Sequence, residues 1–213
     1  MHMHIQSPRF ISAARSLNGI GIVYSEQDDY NSALENLMSS LKLYRKHGKE
    51  DEEYASILNN LASTYCSLDE LDKSLTYFRK VEEINCKVLP SDHPNRAATL
   101  INIGNVYYKK KDYTKSLDYY MNGLKVKEKI LPADHQDKIR CFHNIGLVYY
   151  QMRNHKRAND YLQIALTMAE NTLPQHHVLF SDLHDHINLV NSNCLGSLDS
   201  VTSPACETIV CEH

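Results

Sequence analysis

The chain has 213 residues, of which 42% are hydrophobic and 23% charged, and a formal net charge of −3. That balance is enough for a core, and it lacks the strong positive field expected of a protein that binds nucleic acid or a membrane surface. Seven glycines, six prolines and no tryptophan suit a helical chain with few sharp turns.

Residues 1–7 read as a disordered start, and Ser7-Pro8 provides a cap and a first turn for the opening helix. Leu17 then opens an eight-residue phrase, LNGIGIVY (17–24). It returns as LNNLASTY (58–65), LINIGNVY (100–107) and FHNIGLVY (142–149), at successive steps of 41, 42 and 42 residues. A fixed period of this size marks one supersecondary unit stacked on copies of itself. The period predicts repeats over 8–49, 50–91, 92–133 and 134–175, a capping helix over 176–194 and a disordered tail over 195–213.

Within each phrase the apolar or small residues fall at i, i+3, i+4 and i+7, as in Leu100, Ile103, Gly104 and Tyr107, which is one helical stripe. A second stripe follows after a short break: Ala33, Leu34, Leu37 and Leu41; Ser74, Leu75 and Phe78; Ser116, Leu117, Tyr120 and Leu124; Ala158, Leu162 and Leu166. Each unit is therefore a helical hairpin. Asp29, Asp112 and Asn154 are N-cap types before the second helix; at Glu70 the neighbouring Asp69 is expected to serve. The second helices are expected to stop near Gly48, Pro90, Pro132 and Pro174, and Asp92 to cap the helix that Pro94 opens. Gly21, Ala62, Gly104 and Gly146 face Ala33, Ser74, Ser116 and Ala158, so the two backbones of each hairpin can approach closely.

Six cysteines (Cys66, Cys86, Cys141, Cys194, Cys206, Cys211) have no disulfide-framework spacing. No signal-peptide pattern or membrane-length apolar run is present. The expectation is a reduced, cytoplasmic chain whose helical cysteines are small apolar groups.

The phrase and its second helix resemble the tetratricopeptide repeat. Ile103-Gly104-x2-Tyr107 and Ile145-Gly146-x2-Tyr149 match its first-helix motif, with Leu or Phe in place of its Trp. The long period, LNNLA at 58–62 and the linker LPSDHP at 89–94 are similar to the kinesin-light-chain subclass. The resemblance implies an all-α, right-handed superhelical solenoid of antiparallel helix pairs whose concave groove is lined by first helices. With the mild charge it points to a non-enzymatic scaffold or adaptor that binds an extended peptide or partner segment, without cofactor, nucleic acid or membrane. The alternatives are a self-associating structural array or an accessory repeat region of a larger enzyme or signalling protein.

On a helical wheel, the positions one, two and five after the first member of each phrase lie about 100–200° from the apolar stripe, toward the groove. They hold Asn60, Asn102 and Asn144 in register, with Asn59, Asn105 and His143 beside them. Carboxamides donate and accept, so such a row can hold the backbone of an extended peptide, a role the resemblance supports. The alternative is that they cap loops or tie neighbouring helices together. Tyr108 and Tyr150 are expected at the groove edge, as clamps or as rim residues. Lys109, Lys110 and Lys111, with Arg140, form a basic patch: a solvated turn, or one that steers an acidic peptide. In the first repeat Gly19 breaks the carboxamide row, and the opening helix offers an apolar flank for self-association or for upstream repeats.

The carboxylate clamp of heat-shock co-chaperones fails, because Ile101 stands where its lysine belongs, although Asn105 and Asn144 match two of its sites. Twelve histidines invite a metal, but His176, His177, His184 and His186 lack ligand spacing on one helix face. Cys206, Cys211 and His213 fall in the tail. His93 and His135, one period apart, read as loop caps. No phosphate loop, nucleophile elbow or carboxylate pair appears, so neither catalysis nor a metal site is expected.

Overall fold

The computed structural model describes residues 8–174 and 176–195. Among these residues there are nine α-helices and no strand. They are α1 (Pro8–Glu26), α2 (Tyr30–His47), α3 (Glu52–Ser67), α4 (Leu71–Val88), α5 (Pro94–Lys109), α6 (Tyr113–Ile130), α7 (Gln136–Gln151), α8 (His155–Thr172) and α9 (Val178–Leu195). The expected disordered start over 1–7 and the tail beyond Leu195, with Cys206, Cys211 and His213, lie outside the described residues. Leu195 itself is the last residue of α9 rather than the first of the tail.

The chain divides into two compact units between Ser91 and Asp92. In the first, α1 pairs with α2 and α3 with α4, and α3 also packs on α2 and α1. Its core gathers Leu37, Leu41, Ile57, Leu61, Val81 and Ile84. In the second, α5 pairs with α6 and α7 with α8; α7 packs on α6, and α9 on α8 and α7. Tyr120, Ile139, Ile145, Leu162, Leu183 and Ile187 anchor that core.

Every hairpin turns in the same way. Asp28, Asp69, Lys111 and Arg153 adopt positive φ near 60°. The next residue's N–H then reaches back to the carbonyl of the phrase's tyrosine: Asp29 to Tyr24, Glu70 to Tyr65, Asp112 to Tyr107, Asn154 to Tyr149, at 2.9–3.0 Å. This is the six-to-one bond of a Schellman ending, made without the usual glycine. Asp69 therefore shapes the turn instead of capping α4. Glu70 is the N-cap, makes no side-chain cap bond and pairs with Lys73. Asp29, Asp112 and Asn154 do cap, accepting from Ser32, Lys115 and Arg157 N–H.

Asp92 does not cap α5. His93 does, its Nδ1 accepting from Asn95 N–H at 3.2 Å, and His135 and His177 accept likewise from Asp137 and Leu179. The second helices of the last three hairpins end on Leu89, Leu131 and Leu173, whose extended backbone is the one a following proline demands.

The close approach at the small residues is real. A Cβ on Gly104 would sit 2.7 Å from the Tyr120 ring, and one on Gly21 would sit 2.6 Å from Leu37. Ser74 and Ser116 donate to the carbonyls of Ala62 and Gly104 across the hairpin.

Three hairpins share a further device. The tyrosine ending the phrase stacks on a tyrosine twelve residues later: Tyr65 on Tyr77, Tyr107 on Tyr119 and Tyr149 on Tyr161, with centroids 5.3–5.5 Å apart. A cation covers the first ring of each pair, Lys73, Lys115 or Arg157, at 5.3–5.4 Å. In the first hairpin the corresponding residues are Ser32 and Asn36, and the stack is missing.

Candidate functional site

The predicted groove residues stand on α3, α5 and α7, mostly buried and tied to other helices. On α3, Asn59 is half-buried, and Asn60, 8% exposed, donates to Asn18 Oδ1 of α1 at 3.0 Å. Those two carboxamides are one repeat apart, so the bond ties neighbouring hairpins.

On α5, Asn102 is 1% exposed and Asn105 fully buried. Asn105 Oδ1 accepts from the Tyr120 hydroxyl inside the hairpin, so this residue braces α5 against α6 and is closed to a ligand in this conformation. Wheel angles alone missed this, because α6 supplies a polar atom where the other hairpins have Leu37, Phe78 and Leu162. Tyr108, expected at the edge, is buried edge-on against Tyr113, and its hydroxyl accepts from Gln151 of α7 at 3.2 Å.

On α7, His143 and His186 of α9 approach at 3.0 Å between Nε2 and Nδ1. Burial, and then the charge that His186 would carry, push the His143 imidazole down to about 3. His186 is also lowered by burial, against the opposing pull of Asp182 and Asp185. Tyr150 is half-buried and accepts from Asn193 of α9 at 3.0 Å.

Two α7 residues differ. Asn144 is 6% exposed, and neither it nor Arg140, half-buried one turn earlier, has a side-chain bond to any described residue. Asn144's polar atoms are also not among the sealed ones. These two side chains are donors with spare capacity on one face of α7.

Of the expected basic patch, Arg140 stands on α7, while Lys109 ends α5 and Lys110 and Lys111 follow it. Arg140 matches Ala98 in repeat register, whereas Lys109 matches Gln151. The eleven residues from Arg140 to Gln151 amount to about 16 Å of helix. Lys109, Lys110 and Lys111 are exposed at the α5–α6 turn.

Asn18, Gln151, His186 and Asn193 complete these ties, and the sequence reading passed over them as site residues. Each lies 42 or 43 residues from its partner, so the period itself was the available signal. His177 caps α9, and His184 Nδ1 lies 2.7 Å from the Phe180 carbonyl. Among the described residues no group of three or more His, Cys, Asp or Glu side chains is placed to hold a metal ion. No described helix is long and apolar enough to cross a membrane. Cys66 and Cys141 are buried, whereas Cys86 is exposed, against the expectation of a small apolar group.

Tandem hairpins of this length, closed by small residues and joined by bonds one period apart, define a helical-repeat protein. The tetratricopeptide-repeat profile matches residues 12–87, 53–129 and 95–171, and the chain belongs to that family. Among curated protein sequences no significant match was found. Solved structures share the fold. The nearly identical, kinesin-light-chain-like TPR repeats of Podosopora anserina match with TM-score 0.75 at 17% identity, over 88% of this chain and 89% of that one. BtubC (BKLC) of P. vanneervenii matches with TM-score 0.76 at 13% identity, over 97% and 91%. A chain of the APC/C Cut9–Hcn1 hetero-tetramer matches with TM-score 0.65 at 20% identity, over 84% of this chain and 30% of that one.

Proposed function

We propose that this chain is a non-enzymatic protein-interaction scaffold of the cytoplasm that holds an extended segment of a partner along its first helices, with Arg140 and Asn144 of α7 as the principal contacts. The observation that carries the reading is Asn144. With no side-chain bond to a described residue and its polar atoms not sealed, this carboxamide keeps a donor and an acceptor free for a ligand, and a peptide backbone supplies the complement of each. Arg140 adds a fixed fork of donors for a carboxylate or carbonyl. Half-buried Tyr150 offers a ring edge beside them, while Asn102 of the same unit adds to them only where ligand binding rearranges its present ties. Membership of a repeat family used as an interaction platform supports the class; the Cut9–Hcn1 relative is itself part of a hetero-tetramer.

The test is capture of partners by wild type, Asn144→Ala, Arg140→Ala and Asn105→Ala, with a thermal melt of each. The reading requires that the first two variants lose capture at unchanged or raised stability, and that Asn105→Ala loses stability. Capture insensitive to both α7 substitutions sinks it.

A second reading rests on α1. Ile20 and Val23 are 45% and 51% exposed, while their repeat equivalents Leu61 and Thr64 are buried. This flank suits a second copy of the chain, and light scattering across concentration tests for it.

A further inference from the structure

The outer surface of α2 carries a shallow, open depression lined by Met38, Ser39, Leu41, Lys42, Arg45 and Lys46. Its apolar part is Met38, 43% exposed, whose sulfur accepts from the Tyr77 hydroxyl of α4 at 3.8 Å. Lys42, Arg45 and Lys46 are exposed, and none of them forms an ion pair with a described residue. Elsewhere in the same unit cations find carboxylates: Arg15 on Glu53, Lys73 on Glu70, Lys80 on Glu50 and Lys87 on Glu83.

Repeat register sharpens the contrast. The positions of Lys42, Arg45 and Lys46 become Glu83, Cys86 and Lys87 in the second hairpin. They become Lys125, Glu128 and Lys129 in the third, and Thr167, Glu170 and Asn171 in the fourth. Each later copy places a glutamate within this turn, and in the second Glu83 pairs with Lys87 four residues on. Only the first copy sets like charges at i, i+3 and i+4, an arrangement that opposes the helix unless a carboxylate arrives from outside. The end of the helix dipole favours cations here, but it does not account for the apolar floor beside them.

We propose that this α2 surface is a second docking site, distinct from the first-helix face, for an acidic amphipathic segment of a partner protein. Two carboxylates of that segment engage Lys42, Arg45 and Lys46, and one apolar side chain seats on Met38 and Leu41 beside Tyr77.

The probe is a fluorescein-labelled helical peptide with glutamates flanking a leucine at i, i+3 and i+4 spacing, read by anisotropy against the full chain. Its control carries glutamine for each glutamate. Wild type is expected to bind the acidic peptide, more weakly as salt rises, and to bind the glutamine control at least about tenfold less tightly. Lys42→Glu recreates the glutamate-lysine pair of the second hairpin, so it should raise the melting midpoint while abolishing peptide binding. Arg45→Glu with Lys46→Glu should abolish binding as well. Asn144→Ala should leave it intact, which separates failure of this site from failure of the α7 reading. The proposal is overturned if wild type does not bind the acidic peptide, if binding survives Lys42→Glu, or if polyglutamate without leucine binds as tightly. It is also overturned if phosphatidylserine vesicles, and not the peptide, are the species lost on charge reversal.

Discussion

The hydroxyl of Tyr120 donates to Asn105 Oδ1 at 2.6 Å, and neither side chain reaches solvent. In repeat register the same pair is Ile22 with Leu37, Ser63 with Phe78 and Leu147 with Leu162. One contact between the helices of a hairpin is thus apolar twice, polar once and mismatched once. Tyr120→Phe should lose about 1–2 kcal/mol, because it strips the bond and leaves the buried carbonyl oxygen without its phenol. Denaturant midpoints measure it.

The mismatched copy predicts the opposite sign. Ser63 is 3% exposed, and its Oγ has no partner, because Phe78 offers none. Ser63→Ala removes an unsatisfied hydroxyl from a site already apolar on the other side. Stability should hold or rise by up to about 1 kcal/mol, and a loss above that would show that the hydroxyl is used.

At the hairpin turns Lys111 and Arg153 hold left-handed backbone, where a β-carbon is penalised. Lys111→Gly and Arg153→Gly should each gain about 0.5–1 kcal/mol, the relief of strain being partly offset by the greater freedom of glycine in the unfolded chain. Asp69→Gly should gain less, since aspartate tolerates this region better. Melting midpoints of the three variants give the order.

The histidine caps predict a selective rescue. His135→Ala removes the acceptor for Asp137 N–H and should lose about 1 kcal/mol, whereas His135→Asn keeps an acceptor and most of the stability. Glu70 makes no side-chain cap bond, so Glu70→Ser should gain α4 a cap while giving up an exposed pairing with Lys73.

The His143–His186 contact makes the second unit acid-sensitive. In the folded chain His143 is held down to about 3, against 6.5 ordinarily, so the unfolded chain binds more protons between those values. The contribution is complete above pH 6.5 and falls as the pH drops toward 3, by at most about 1.4 kcal/mol per pH unit for each histidine. His186 follows the same sign with a smaller shift, since Asp182 and Asp185 oppose its burial. His143→Leu should flatten the slope of stability against pH over that range; an unchanged slope would assign it to other groups.

The hairpins, their small-residue contacts and the end of each second helix were legible in the sequence, because they follow from a period and from glycine and proline chemistry acting within a turn or two. The His93 cap was half legible: the recurrence of His93 and His135 marked a loop role, but Asp92 is the commoner cap type and drew the assignment. The left-handed turns were hidden, because Asp69 and Lys111 stand where glycine is the usual signal. The site was least legible. Wheel angles put Asn60, Asn102, Asn105 and Asn144 on related faces, yet what distinguishes them is what lies opposite: Asn18, Tyr120 or, for Asn144, no partner. That depends on side chains 15 to 42 residues away in the chain, which no local pattern encodes.

The cation-covered tyrosine pairs recur in every hairpin but the first, and the chain has no tryptophan. Its ultraviolet emission therefore comes from phenols, concentrated in the hairpins α3–α4, α5–α6 and α7–α8. An optical melt will under-report the loosening of α1 from α2, which lack that clasp. Amide exchange in α1 should run ahead of the spectroscopic transition, marking the end from which the molecule begins to unravel.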